Sequence, residues 1–148
     1  MVAVKNNILL IEDDGNDVLL LEHAFRKAHL NNPIYAVNDG EQAINYLHGH
    51  LEYSDRQKFP LPCLILLDLK LPRKGGLEVL KWLREQNSAL NRLPVVVFTS
   101  SRQSNDINRA YDLGANSYLV KPADSEKLIE IVKLVDSYWF SLNERPEL

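Results

Sequence analysis

Three short runs of this chain, Ile8-Leu9-Leu10-Ile11, Leu64-Ile65-Leu66-Leu67 and Val95-Val96-Val97-Phe98, are apolar at every position. A strand with one wet face alternates, so unbroken apolar runs indicate parallel strands covered on both faces. Two weaker runs, Ile34-Tyr35-Ala36-Val37 and Ser117-Tyr118-Leu119-Val120, read as further strands. Between the strands the apolar positions follow helical spacing: Val18, Leu21, Phe25 and Ala28, then Ala43, Ile44 and Leu47, then Leu80 and Leu83. The first helix is expected after Asp14, with Asp17 three residues on in a capping-box-like position. The second follows Asp39-Gly40 and the third Gly75-Gly76. The fourth starts near Ser104 or Asn105 and stops at Gly114, and the fifth follows Asp124.

Strand and helix thus alternate five times, which predicts right-handed βαβ crossovers and a parallel sheet. The expected fold is a flavodoxin-like, doubly wound (βα)5 sheet of strand order 2-1-3-4-5. One domain is expected over residues 1–148, with a core at about 7–140 and a short C-terminal extension. The polar stretch from His48 to Pro62 is long for such a connection and reads either as a contact surface or as neutral elaboration. The last helix is unusually apolar. Leu128, Ile131, Val132, Val135 and Trp139 make a core stripe, and Ile129, Leu134, Tyr138 and Phe140 widen the arc to roughly 240°. Such a helix is expected to be covered on a second side, by a homodimer partner or by the tail folding back.

Composition narrows the class. Hydrophobic residues are 45% and charged residues 25%, with net charge −3, which suits a soluble globular protein. No dense Lys/Arg run appears, which argues against nucleic-acid binding. Cys63 is the one cysteine, so an intramolecular disulfide is impossible; its place beside an apolar run suggests a buried thiol. The start, Met1-Val2-Ala3-Val4-Lys5, lacks the apolar core of a signal peptide. No stretch approaches the roughly 20 apolar residues that span a bilayer. A cytoplasmic location is expected.

In doubly wound sheets ligands sit beyond the carboxyl ends of the strands. Here the first strand runs into Glu12-Asp13-Asp14, the third into Asp68, the fourth into Thr99-Ser100 and the fifth into Lys121-Pro122. Each alone has an ordinary reading, Asp14 as a helix cap and Lys121 as a solvated lysine. Together they would crowd carboxylates, a hydroxyl and an ammonium at one rim. Clustered carboxylates repel unless a cation lies among them, and Mg²⁺ favours hard oxygen ligands shared with phosphate. An aspartate can attack a phosphoryl group to give an acyl phosphate, a reaction governed by positioning and charge neutralisation. The rim therefore reads as a site for phosphoryl acceptance on a carboxylate.

These residues resemble the receiver domains of two-component response regulators, over roughly Asn7 to Phe140. The resemblance rests on Ile11-Glu12-Asp13-Asp14, Leu67-Asp68-Leu69-Lys70-Leu71-Pro72, Phe98-Thr99-Ser100, Gly114-Ala115 and Tyr118-Leu119-Val120-Lys121-Pro122, in that order. It implies the receiver fold, with Asp68 as phosphoacceptor. It also implies Mg²⁺ bound by Asp13, Asp68 and the Lys70 backbone carbonyl, with Glu12 acting through water. Thr99 and Lys121 would bind the phosphoryl oxygens, and Thr99 and Tyr118 would form the switch. Tyr118 as a merely packed aromatic is the alternative. Lys70 either crowds out an attacking water or is solvated and lends only its carbonyl.

The loop before Pro60-Leu61-Pro62, the run Pro72-Arg73-Lys74-Gly75 and the ending Val135-Asp136-Ser137-Tyr138-Trp139-Phe140 are similar to the small regulators paired with bacterial phytochromes. Ala123 departs from the larger apolar residue many receivers carry there. The resemblance implies phosphoryl transfer from a sensor histidine kinase, such as a phytochrome. Output is expected through protein contacts, with no separate enzymatic activity. A nucleotide binder is disfavoured because Glu12-Asp13-Asp14 would repel phosphate. An aspartate-nucleophile phosphatase would want an aspartate where Lys70 stands. A non-phosphorylated pseudo-receiver, serving only as a binding module, is the remaining rival.

Overall fold

The computed structural model describes residues 6–148, so the expectation for Met1–Lys5 lies outside the described residues. Five strands alternate with five helices: β1 (Ile8–Ile11), α1 (Gly15–Lys27), β2 (Ile34–Val37), α2 (Gly40–His48), β3 (Leu64–Leu67), α3 (Gly76–Arg84), β4 (Val95–Thr99), α4 (Ser104–Asp112), β5 (Ser117–Val120) and α5 (Ser125–Ser137). The strands form one sheet of order β2-β1-β3-β4-β5, with every pair parallel. This is the flavodoxin-like sheet of order 2-1-3-4-5 expected from the alternation.

The pleat divides the apolar runs between two layers. Ile8, Leu10, Leu64, Leu66, Val96 and Phe98 pack against Leu21 and Phe25 of α1 and Leu128, Val132 and Val135 of α5. Leu9, Ile11, Ile65, Leu67, Val95 and Val97 face the other way, against α2, α3 and Ala110 of α4. The central strands are buried at every position, which is why their sequences do not alternate. Local chemistry sets the helix starts. Asp14, Asp39 and Asp124 each accept from a backbone N–H in the first turn of the helix they precede. At the end of α4, Gly114 takes a left-handed φ of 103°, a conformation that is costly for other residues.

Three features lie at the periphery of the domain. The His48–Pro62 stretch is folded onto its own domain. Arg56 donates to the carbonyls of Tyr46, Leu47 and Phe59, while Tyr46, Tyr53 and Phe59 form an aromatic cluster. After α5 the chain enters a π-helical turn at Tyr138–Leu142, and the tail returns along the domain. There Arg145 donates to Cys63 Sγ at 3.2 Å and to Asn6 Oδ1 at 2.5 Å, and Arg92 donates to the Glu147 carbonyl at 2.8 Å. Cys63 is half-buried rather than buried. Within one chain the apolar arc of the last helix is only partly covered. Ile129 and Phe140 pack against the α1/α5 core, while Leu134 and Tyr138 stay 70% and 50% exposed. Among the described residues no helix is long and apolar enough to cross a membrane.

One close approach ties the fold to its carboxyl edge. A Cβ on Gly76 would lie 2.3 Å from the Asp68 carbonyl oxygen, so α3 can begin beneath β3 only with glycine there. Gly76→Ala is expected to cost about 2 kcal/mol in urea unfolding, since backbone must move to admit the methyl group. Gly15→Ala, with nothing within 4 Å, should leave stability unchanged or slightly raised.

Candidate functional site

The sheet register assembles the site. Ile11 pairs with Leu67, so the residues that follow, Glu12 and Asp68, leave the sheet side by side. The Asp68 N–H donates to the Ile11 carbonyl at 3.0 Å, and the Lys121 N–H donates to the Thr99 carbonyl at 2.8 Å. Four side chains from four strand ends are thereby fixed by backbone hydrogen bonds or by direct succession to a paired residue. The site lies where the order reverses between β1 and β3, the usual crevice of this architecture.

Asp68 is buried, and both its oxygens are engaged. Oδ1 accepts from the Thr99 hydroxyl at 2.8 Å and from the Lys70 backbone N–H at 3.4 Å; Oδ2 accepts from Lys121 Nζ at 3.0 Å. Burial alone would push its pKa up, but the Thr99 hydrogen bond and the Lys121 ammonium outweigh it and hold the carboxyl below its usual range. Asp68 is therefore ionised at neutral pH.

Lys121 donates to three carboxylates: Glu12 Oε1, Asp17 Oδ2 at 2.9 Å and Asp68. Burial disfavours its charge, yet the bonds from Glu12, Asp17 and Asp68 raise its pKa above the ordinary value. One ammonium cannot neutralise all three partners. Glu12, only 3% exposed, bears the surplus, with its pKa raised to about 7 by burial and by the nearby Asp68 charge against the opposing pull of Lys121. Glu12 thus keeps its proton well above the usual carboxylate range.

Glu12, Asp13 and Asp68 can each offer a carboxylate oxygen so that the three lie within 4.8 Å of one another. This donor set, all hard oxygen with one exposed member at the mouth, fits a divalent cation of the Mg²⁺ type. Lys70 stands beside it in the loop after β3, with its side chain exposed. Tyr118 is half-buried on β5, where its hydroxyl donates to the Ser101 carbonyl at 2.9 Å; the Ser101 hydroxyl in turn donates to Asp106 at 2.5 Å. Burial raises the Tyr118 pKa. Glu12, Asp13, Asp68, Thr99 and Lys121 are thus brought together, and Tyr118 sits apart on β5, its hydroxyl bonded to the β4–α4 loop.

Sequence reasoning missed Asp17. Its place three residues after Asp14 suggested a capping box, but the Asp14 N–H donates to Glu12 Oε2 at 3.2 Å and Asp17 turns to Lys121. No short-range signal links positions 17 and 121; only the docking of α1 against the end of β5 does.

Comparison with known proteins agrees with this geometry. A family model described as the response regulator receiver domain matches residues 8–133. The probable methanogenesis regulatory protein FilR2 of Methanothrix harundinacea is 38% identical over 139 residues, 94% of this chain and 86% of that protein. Response regulator Rcp1 of Synechocystis sp. is 37% identical over 132 residues, 89% of this chain and 87% of that protein. A Mn(2+)-bound crystal structure of Rcp1 gives a TM-score of 0.83 at 34% identity, covering 96% of this chain and 99% of that one. The phosphorylated cyanobacterial phytochrome response regulator RcpA gives 0.88 at 36% identity, covering 97% and 100%. With a sheet of the expected order, an acidic rim at its carboxyl edge and a family match over most of its length, this chain belongs to the response regulator receiver domain family.

Proposed function

We propose that this receiver accepts a phosphoryl group on Asp68 and uses the change to switch a protein-interaction surface. The observation that carries the reading is the convergence of Thr99 and Lys121 on a buried, ionised Asp68 beside the Glu12–Asp13–Asp68 oxygen group. Thr99 Oγ1 and Lys121 Nζ are donors already aimed at the carboxylate that would carry the phosphoryl group, so its oxygens would find hydrogen-bonding partners with little rearrangement. Asp13, Asp68 and the Lys70 carbonyl, with Glu12 through water, would hold Mg²⁺, which supplies positive charge to offset the added phosphate. That Rcp1 has a Mn(2+)-bound form supports the expectation of a divalent cation in this receiver.

The added charge of about −1.5 to −2 would draw Thr99 toward the phosphoryl group, with Tyr118 rearranging and biasing the β4–α4 loop it now holds. The similarity to RcpA and Rcp1 favours a sensor histidine kinase of the phytochrome type as donor, in the cytoplasm. The pseudo-receiver reading is weaker, because every group needed for phosphoryl acceptance is present. A homodimer through the last helix is favoured by exposed Leu134 and Tyr138 bordering a groove of about 390 Å³ lined by Leu119, Ile131, Val135 and Trp139.

Intact-protein mass after incubation with a small-molecule phosphodonor should show one phosphoryl adduct that needs both Mg²⁺ and Asp68. Asp68→Asn should abolish it, and an unlabelled wild type, under conditions that label another receiver, would leave the binding-module reading. Mg²⁺ affinity by calorimetry should rise with pH up to about 7, by at most about tenfold per unit, and flatten above, as the proton on Glu12 is displaced. In the metal-free protein the sign is opposite. The raised pKa of Glu12 contributes stability that is fully present below its ordinary value of 4.5 and is lost as pH rises through about 7. Light scattering at high concentration should give a dimer mass that Leu134→Glu reduces to the monomer; a monomeric wild type would sink the dimer.

A further inference from the structure

An ammonium has three N–H donors, and Lys121 directs them to Glu12, Asp17 and Asp68. Phosphoryl acceptance on Asp68 accounts for Lys121 and for the acidic rim, but it gives Asp17 no task. Asp17 lies in the first turn of α1, outside the oxygen group that suits a cation, and its side chain is 34% exposed. An exposed carboxylate that only favoured the helix N-terminus would be free to point into solvent. Instead it reaches the strand end opposite and holds a half-buried ammonium.

We propose that Asp17 is a positioning residue for phosphoryl acceptance, acting through Lys121; the proposal rests on the reading of Asp68 as phosphoacceptor. Glu12 and Asp17 together occupy two donors and fix the rotation of the ammonium about its Cε–Nζ bond. The third donor is then aimed at the oxygen of Asp68. In the reaction an Asp68 carboxylate oxygen forms a bond to phosphorus, the bond from phosphorus to the donor's leaving atom breaks, and the electron pair departs with the leaving group. Phosphoryl oxygens then lie where the third donor points. Glu12 and Asp17 are not modified, so they hold the ammonium in place throughout.

The surroundings make the tether necessary. A cavity of about 50 Å³, bounded by Glu12, Asp17, Leu20, Phe98 and Pro122, lies beside Lys121. Apart from Glu12, Asp17 and Lys121 its lining side chains are apolar and offer the ammonium no acceptor in place of Asp17. With the Asp17 carboxylate gone, Lys121 would have one donor unpaired. It would either swing toward solvent or bear more heavily on Asp68, whose oxygen would then be a poorer nucleophile. Both effects slow acceptance.

The test is the kinetics of labelling by a small-molecule phosphodonor in the full chain with Mg²⁺, for wild type, Asp17→Ala, Asp17→Asn, Lys121→Gln and the double variant Asp17→Ala/Lys121→Gln. Asp17→Ala should lower the saturating rate about tenfold, as expected for a displaced charged group, with the half-saturating donor concentration unchanged. Asp17→Asn keeps an acceptor oxygen and should recover most of the rate. The double variant should label no more slowly than Lys121→Gln alone. In metal-free protein the Lys121 ammonium ¹⁵N signal, protected by three acceptors, should broaden in Asp17→Ala and persist in Asp17→Asn. A rate for Asp17→Ala within about twofold of wild type, or a further loss on top of Lys121→Gln, overturns the proposal, and a lowered urea midpoint alone then identifies a helix-stabilising residue. Failure of wild type to label at Asp68 is a separate result that removes the underlying reading and this inference with it.

Discussion

The carboxyl edge of this receiver is governed by an imbalance of charge: one ammonium, Lys121, among three carboxylates it touches directly. Removing charges from water is costly unless they are paired, and here the pairing is incomplete. The most deeply buried partner, Glu12, responds by holding its proton to about pH 7, while Asp68, with Thr99 as an additional donor, stays ionised. Environment thus separates two neighbouring carboxyl groups into different roles. It also leaves the rim short of positive charge, the condition that a divalent cation relieves.

That arrangement depends on backbone more than on side chains. In a parallel sheet the strand ends are aligned by register, so one slip would carry Asp68 away from Glu12 and turn its side chain to the opposite face. The apolar runs prevent this. Ile8 and Leu10 face α1 and α5 while Leu9 and Ile11 face the other layer, and a shift would expose both sets. Gly76 adds a local constraint, letting α3 pass directly under the Asp68 carbonyl. The base of the site is therefore set by the sheet register, while the β4–α4 loop above it is held through the Tyr118 bond to Ser101.

The periphery departs more from a minimal receiver than the core does. The long connection after α2 is organised around Arg56, which donates to the carbonyls of Tyr46, Leu47 and Phe59. The tail is organised around Arg145, which meets Asn6, Cys63 and the Phe140 ring. Both long side chains act as internal struts for irregular chain. The tail covers part of the domain and still leaves Leu134 and Tyr138 open.

The sequence alone determined the alternation of elements, the strand order and most of the residues that reach the acidic rim. These follow from local periodicity, caps and the rule that parallel strands share a carboxyl edge, and the helix starts at Asp14, Asp39 and Asp124 were legible for the same reason. Asp17 was assigned to its own helix, because its partner lies 104 positions away and no local pattern encodes that meeting. A tail folded back was one of the two coverings expected, but its contacts from Arg145 to Asn6 and Cys63 were hidden for the same cause. Helical spacing gives the width of an apolar arc but not what covers it; that was decided only when distant parts of the chain packed together.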